Sequence, residues 1–400
     1  MFFSEAQIRL GHQTLKETAL HETRGKKNES RKLSFDIRVM IVLHFKRQVF
    51  ILLDGKLEGE KSYFIFPCFI FIFEAMSNLM ISGRRSAEKW LFTTSMPGES
   101  YNGPLPELSP LEVEICNRLR KHIYALAESI GERNIWKYVA LNQSAEYIET
   151  NLTKLDYPVS SQKFRCEGKW VRNLEIELPG GSQSEEIVLI GAHYDTVMGS
   201  PGANDNASGV AALCELARLL SQEERERTIR LVAFVNEEPP FYQSGKMGSR
   251  IYARRARRQK ENIVAMFSLE TIGYYCDTPG SQHYPFPLGA YYPKVGNFIG
   301  FVANRASKVL LFQVIELFRR HTCFPSEGVA APQWLPGISW SDQWCFWKEG
   351  YPALMITDTA PFRYPYYHSA ADTANKICYD KLARVVAGFA RVLKELSDIS

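Results

Sequence analysis

Five short segments carry side chains able to bind a metal or move a proton: GAHYDTV at 191–197, GANDNASG at 202–209, NEEPP at 236–240, SLETIGYY at 268–275 and YYHSAADT at 366–373. An H-x-D triplet alone arises often by chance. Here His193 and Asp195, the pair Glu237 and Glu238, and Glu270 each follow directly on an apolar, β-rich run, and His368 lies in the loop after the last such run. Asp205 sits in a Gly/Asn-rich loop that opens a helix-like stretch. Imidazole with carboxylate is the donor set of zinc or manganese, and the absence of thiolates argues against a closed structural zinc site. The pattern therefore points to a metal-dependent hydrolase.

The elements that must position these groups follow from periodicity. Runs at 171–178, 187–192, 229–235, 263–269 and 353–357 read as strands, and IVLIGA at 187–192 is continuous enough for a strand covered on both faces. Helical spacing is found at 111–130, 142–155, 209–220, 247–259, 305–320 and 380–396, with Ser109 and Ser208 as expected N-caps and Pro110 at a first helical position. The alternation predicts a three-layer α/β/α fold around a central, largely parallel mixed sheet. In such sheets ligands bind beyond the carboxyl ends of the strands, where the five segments fall. The Pro-, Gly- and Tyr-rich stretch 276–300 reads as a long ordered loop beside the site.

Composition narrows the class. The 400 residues are 45% apolar and 23% charged, ordinary for a globular protein, and the net charge of +4 is carried by the first hundred residues. The rest is close to neutral. Without aromatic interleaving, the arginine-rich stretch RIYARRARR reads as a solvated helix face, and no nucleic-acid partner is expected. Eight scattered cysteines without a C-x-x-C pair imply a reduced, cytoplasmic protein.

Residues 1–95 differ in character. They contain two interrupted apolar runs, 39–53 and 63–73, and Met76, Met80 and Met96 offer alternative starts. The expected division is an atypical extension over 1–95, as an overextended gene start or a weak membrane anchor near 62–81, and a catalytic domain over 96–400. The second apolar run is shorter than the roughly 20 residues a membrane helix needs.

With these segments in hand, the chain over about 97–400 resembles the M28 family of metallopeptidases, which includes zinc aminopeptidases and, more distantly, glutaminyl cyclases. The resemblance implies two Zn2+ per chain. His193 and Glu270 would hold one, Glu238 and His368 the other, and Asp205 would bridge them. Family members usually carry Asp where this chain has Glu270, which leaves open a role for Glu270 as a hydrogen-bond acceptor beside the metal. Glu237 corresponds to the general base, and Asp195 to the residue that orients His193 through its second ring N–H. Tyr367 corresponds to a tyrosine that steadies the oxyanion, with a place in the pocket wall as the alternative. A non-proline cis peptide is implied at Asp205–Asn206.

The implied function is an aminopeptidase that hydrolyses N-terminal peptide bonds of peptides or amino-acid derivatives, with a metal-bridging hydroxide as nucleophile. Two alternatives stand beside it. A one-zinc glutaminyl cyclase-like acyltransferase would favour tryptophan ahead of His368, and a non-catalytic binding module would be expected to have lost ligands. Asp342 is expected near the site among the core tryptophans Trp340, Trp344 and Trp347. Tyr274, Tyr275, Phe241, Tyr364 and Tyr366 suggest an aromatic pocket, and His283 a substrate contact.

Overall fold

The computed structural model describes residues 92–398 in full and, before them, the backbone of three strands. Those three, Arg38–Phe45, Gln48–Leu57 and Glu60–Pro67, pair as an antiparallel sheet in a unit of their own. The second apolar run enters the third of these strands, Glu60–Pro67, while its residues 68–73 and the internal methionines at 76 and 80 lie outside the described residues. Among the described residues no helix is long and apolar enough to cross a membrane.

The main sheet has eight strands: β1 (Val159–Cys166), β2 (Lys169–Leu178), β3 (Gln183–His193), β4 (Arg227–Phe234), β5 (Asn262–Glu270), β6 (Ile299–Asn304), β7 (Ser326–Ala331) and β8 (Ala353–Thr357). Their spatial order is β7-β6-β8-β5-β3-β4-β2-β1. The centre, β8-β5-β3-β4, is parallel, so four strands end at one rim. Strands β6 and β7 run parallel to each other and antiparallel to β8, which brings their amino ends to that same rim.

Burial explains the sequence of each strand. Residues 187–193 of β3 are buried on both faces because β4 and β5 flank the strand and helices cover it above and below. Gly191 is required there: a Cβ would stand 2.3 Å from the ring of Phe234 on β4. The edge strand β1, VSSQKFRC, alternates between exposed and half-buried and lacks an apolar run. It, β6 and β7 are not foreseen as strands, since β6 and β7 are short and rich in Gly and Ala, and β6 opens at the end of the stretch expected to be loop.

Helices α1 (Pro110–Ile123), α2 (Tyr138–Thr153), α3 (Gly209–Leu220), α5 (Lys308–His321) and α7 (Tyr379–Asp398) pack into one continuous apolar core with the sheet. The opposite face is closed by α4 (Gly248–Gln259) and the short α6 (Gln343–Trp347), around Tyr252, Phe346 and Phe234. This is the expected three-layer arrangement. Trp347 joins that second core, whereas Trp340 is 42% exposed and does not.

The helix starts show which local rules held. Ser109 caps α1 in a full capping box: its Oγ accepts from the N–H of Glu112, and the Glu112 carboxylate accepts from the Ser109 N–H at 2.8 Å. Ser208 does not cap α3. Its hydroxyl donates instead to the Asn204 carbonyl at 2.7 Å and accepts from the Ile272 N–H, so the residue ties two site loops together. Ser109→Ala should lower stability by about 1 kcal/mol, read as a shift in the denaturant midpoint at unchanged slope.

Candidate metal centre

The parallel strands deliver their side chains to the rim in order. His193 is the last residue of β3, Glu270 the last of β5, and Glu237 and Glu238 follow β4 after Asn236. Three of these turns contain a non-glycine residue at positive φ: Asn236 at 61°, Thr271 at 44° and His368 at 53°. Such conformations are costly for L residues and collect at functional sites.

Asp205 comes from the irregular turn Ala203–Ser208 between β3 and α3, and its peptide bond to Asn206 is cis. The turn is held at every step. Asp372 accepts from the backbone N–H groups of Asn204 (2.8 Å) and Asp205 (3.1 Å). Asn206 donates to the Leu269 carbonyl (2.8 Å) and accepts from the Thr271 N–H (3.1 Å), which joins the turn to the end of β5. Gly202, at φ 62°, starts the turn, and a Cβ there would lie 2.3 Å from the Asp205 carbonyl.

These side chains converge. His193 Nε2 stands 3.3 Å from Asp205 Oδ1 and 3.2 Å from Glu270 Oε2, while His368 Nε2 stands 3.1 Å from Asp205 Oδ2 and 3.4 Å from Glu238 Oε2. Two trios result, His193/Asp205/Glu270 and Asp205/Glu238/His368, with the ligand atoms of each within 4.8 Å of one another and Asp205 common to both. Atoms bound about 2.0–2.1 Å from a tetrahedral cation are about 3.3 Å apart, so the observed spacings suit zinc. Within this buried cluster His193 Nε2, Asp205 Oδ1 and Glu238 Oε1 have no hydrogen-bond partner among the described residues. Buried polar atoms are rarely left so, and a bound cation would satisfy all three.

Charge supports the same conclusion. Burial pushes the carboxyl groups of Glu238 (to about 7), Glu237 and Glu270 upward, against the pull of the histidines. Burial disfavours the charged form of His368, yet hydrogen bonds to Asp205 and Glu238 outweigh it and hold the imidazole up at about 10. Asp205 is depressed against its own burial by His193 and His368. Divalent cations would supply the positive charge that a buried cluster of carboxylates calls for.

Asp195 and Tyr367 adjoin these ligands. Asp195 is beside His193, but the closer contact is its backbone carbonyl, 3.2 Å from Nδ1; its carboxylate Oδ1 is 3.7 Å away. That carboxylate accepts instead from the N–H groups of Glu237 (3.1 Å) and Glu238 (3.2 Å), so Asp195 orients the acid pair as well as the imidazole. The ring of Tyr367 stacks on His368 at 3.9 Å. Burial and the surrounding carboxylates push its phenol upward, keeping it a proton donor.

The expected aromatic pocket is elsewhere. Tyr274, Tyr364 and Tyr366 pack on one another, Tyr275 is buried against Phe324, and Phe241 stacks on Trp136. The cavity that opens from Glu270 and Tyr367 is walled by Tyr284, Tyr292, Trp340 and Phe362, and His283 is not among its lining.

Ser341 and Arg133 support the site without a signal in the sequence, and Asp342 lies near it as expected. Ser341 donates to Glu270 Oε2 at 2.7 Å and stands 3.0 Å from the hydroxyl of Ser268, which holds the glutamate carboxylate in place. Next to it Asp342 is fully buried and pushed up to about 7 by burial, in the field of His193 and Glu270. Arg133, also fully buried, donates to the carbonyls of Leu126, Gly131, Tyr194, Pro201 and Gly202, and so ties the exit of β3 to the start of the Asp205 turn.

Comparison with known proteins agrees with this geometry. The sequence profile of peptidase family M28 matches residues 173–393. The uncharacterized protein YfbL of Escherichia coli is 37% identical over 285 residues, covering 69% of this chain and 87% of that protein. Among solved structures, BSAP, a zinc aminopeptidase from Bacillus subtilis, superposes with a TM-score of 0.59 at 15% identity over 73% of this chain and 97% of its own. Porphyromonas gingivalis glutaminyl cyclase superposes with a TM-score of 0.53 at 19% identity, over 70% and 98%. At these identities the two structures share the fold.

Ser341→Ala should weaken zinc binding by about ten-fold or more, because the Glu270 carboxylate loses the donor that aims it. Competition against a fluorescent zinc chelator measures the change.

Proposed function

The chain belongs to peptidase family M28 and is a metal-dependent peptidase, and from that premise we propose that it is an aminopeptidase that works with two zinc ions per chain. The observation that carries this reading is the sharing of Asp205 by two ligand trios, with Glu237 buried beside both and a member of neither. His193 and Glu270 would hold one ion, Glu238 and His368 the other, and Asp205 would reach both.

Zinc bound there supplies Lewis acidity, which makes water acidic enough to attack near neutral pH and polarises the scissile carbonyl. The protein's own residues do the rest. Glu237 takes the proton of the attacking water and returns it to the departing amine. Its backbone is fixed by Asp195, whose carboxylate accepts from the Glu237 N–H at 3.1 Å. Tyr367, kept protonated, donates toward the negative charge that grows on the carbonyl oxygen. His193 is aimed by the Asp195 carbonyl, and His368 by its stack on Tyr367.

The similarity to BSAP, a zinc aminopeptidase, favours release of N-terminal residues. A glutaminyl cyclase reading draws on the same fold, and the tyrosine at 367, rather than a tryptophan, speaks for the peptidase. Mass spectrometry of a peptide pool that includes N-terminal glutamine peptides separates the two. Loss of whole N-terminal residues supports the proposal, whereas loss of ammonia from the glutamine peptides alone would overturn it. Glu237→Gln should lower kcat by about 10²–10⁴-fold while bound zinc, measured by atomic emission, stays at the native level.

A further inference from the structure

The cavity beside the metal centre carries information about substrate that the site residues do not. It is a half-open cavity of about 90 Å³ that begins at Glu270 and Tyr367. From there it follows one row of the sheet. Glu270 on β5 pairs with Thr357 on β8, Thr357 with Gly300 on β6, and Gly300 with Glu327 on β7. Paired residues point to the same face, so the row forms the floor of the cavity and Glu327 lies at its far end. Three strand spacings put the Cα of Glu327 about 14 Å from that of Glu270. Gly300 leaves the path open midway, because a Cβ there would stand 3.2 Å from the Thr357 carbonyl and project over the floor.

Along this path the walls are apolar and aromatic. Val302, Met355 and Leu288 line the middle, and Tyr284 and Tyr292, stacked at 5.6 Å, stand near the end. The two tyrosine hydroxyls are spent on the carbonyls of Pro293 and Gly328. Glu327 is half-buried in these surroundings, and among the described residues no cationic nitrogen makes an ion pair with it. Its carboxylate accepts a hydrogen bond from the Ser100 hydroxyl, and Arg319 is a positive charge that acts on it. Its N–H groups are given to Ser326 Oγ and to the carbonyls of Pro97, Gly98 and Ser326. A further cation, Arg363, lies behind the wall and is held by Gln282 and the carbonyl of Phe298.

An apolar channel that ends near aromatic rings at a carboxylate with no ion-pair partner among the described residues is poorly suited to leucine or phenylalanine, which would bury that charge further without a counter-charge. It suits a side chain with a long apolar stem and a cationic tip, because carboxylate and ring faces both attract the cation. We propose that this cavity receives the N-terminal side chain of the substrate, that it selects arginine or lysine, and that Glu327 is the residue that pairs with the cation. The inference rests on the aminopeptidase reading above.

The test compares kcat/KM of the zinc-loaded full chain on the coumarinyl amides of L-arginine, L-lysine, L-leucine and L-phenylalanine. The arginine and lysine amides should be preferred over leucine by about ten-fold or more, and Glu327→Gln should lower the arginine-to-leucine ratio by about 10–100-fold, the worth of one charged hydrogen bond. Glu327→Asp, which keeps the charge on a shorter arm, should restore part of that ratio. A native preference for leucine or phenylalanine, or a Glu327→Gln protein that loses activity equally on all four amides, overturns the inference and leaves the aminopeptidase reading standing. Release from none of the four amides overturns both.

Discussion

The interaction on which the rest of this structure depends is the mutual repulsion of carboxylates gathered in a place that water does not reach. Asp205, Glu238 and Glu270 crowd around two imidazoles, and Glu237 and Asp195 stand directly behind them. Burying like charges together is among the most expensive things a protein does, and it persists only where a counter-charge is supplied. The two histidines cannot supply enough of it. A pair of divalent cations can, and the spacing of the donor atoms leaves room for them.

Everything that holds the rim can be understood as resistance to that repulsion. Parallel strands bring His193 and Glu270 side by side without any contribution from the loops, because β3 and β5 are neighbours and end together. The more difficult placement is Asp205, which belongs to no strand. It is fixed from outside by Asp372, by Asn206 across the end of β5 and, at one remove, by the five-carbonyl grip of Arg133. A charged residue buried without a carboxylate partner is unusual, and here its value lies in reaching loops that are far apart in sequence. The apolar cavity leading away from Glu270 lies on the same sheet row, so the strand register that builds the metal centre also determines where a substrate side chain would lie.

The chemistry of the site was legible in the sequence because its residues follow directly on apolar runs. His193 closes IVLIGA, and Glu270 closes IVAMFSL. Strand polarity then delivers them to one rim with little further information needed. What escaped were groups whose role is set by contacts across the fold. Arg133 lies more than sixty residues from most of its acceptors, and nothing near it in the chain marks it as buried. Ser341 supports Glu270 across some seventy residues, so the Glu-for-Asp departure was visible while its support was not. The pocket escapes the sequence for the same reason: the far half of its floor comes from β6 and β7, short strands whose sequences lack the alternation that identifies a strand. Ser208 shows the limit of local capping rules, since its hydroxyl serves a loop sixty-four residues away.

The central claim is that two cations, sharing Asp205, balance this buried acid cluster. A zinc-edge anomalous difference map from crystals of the zinc-loaded protein tests it most directly. Two peaks are predicted, one among His193, Asp205 and Glu270 and the other among Asp205, Glu238 and His368. A single peak, or none within reach of Asp205, would contradict the account.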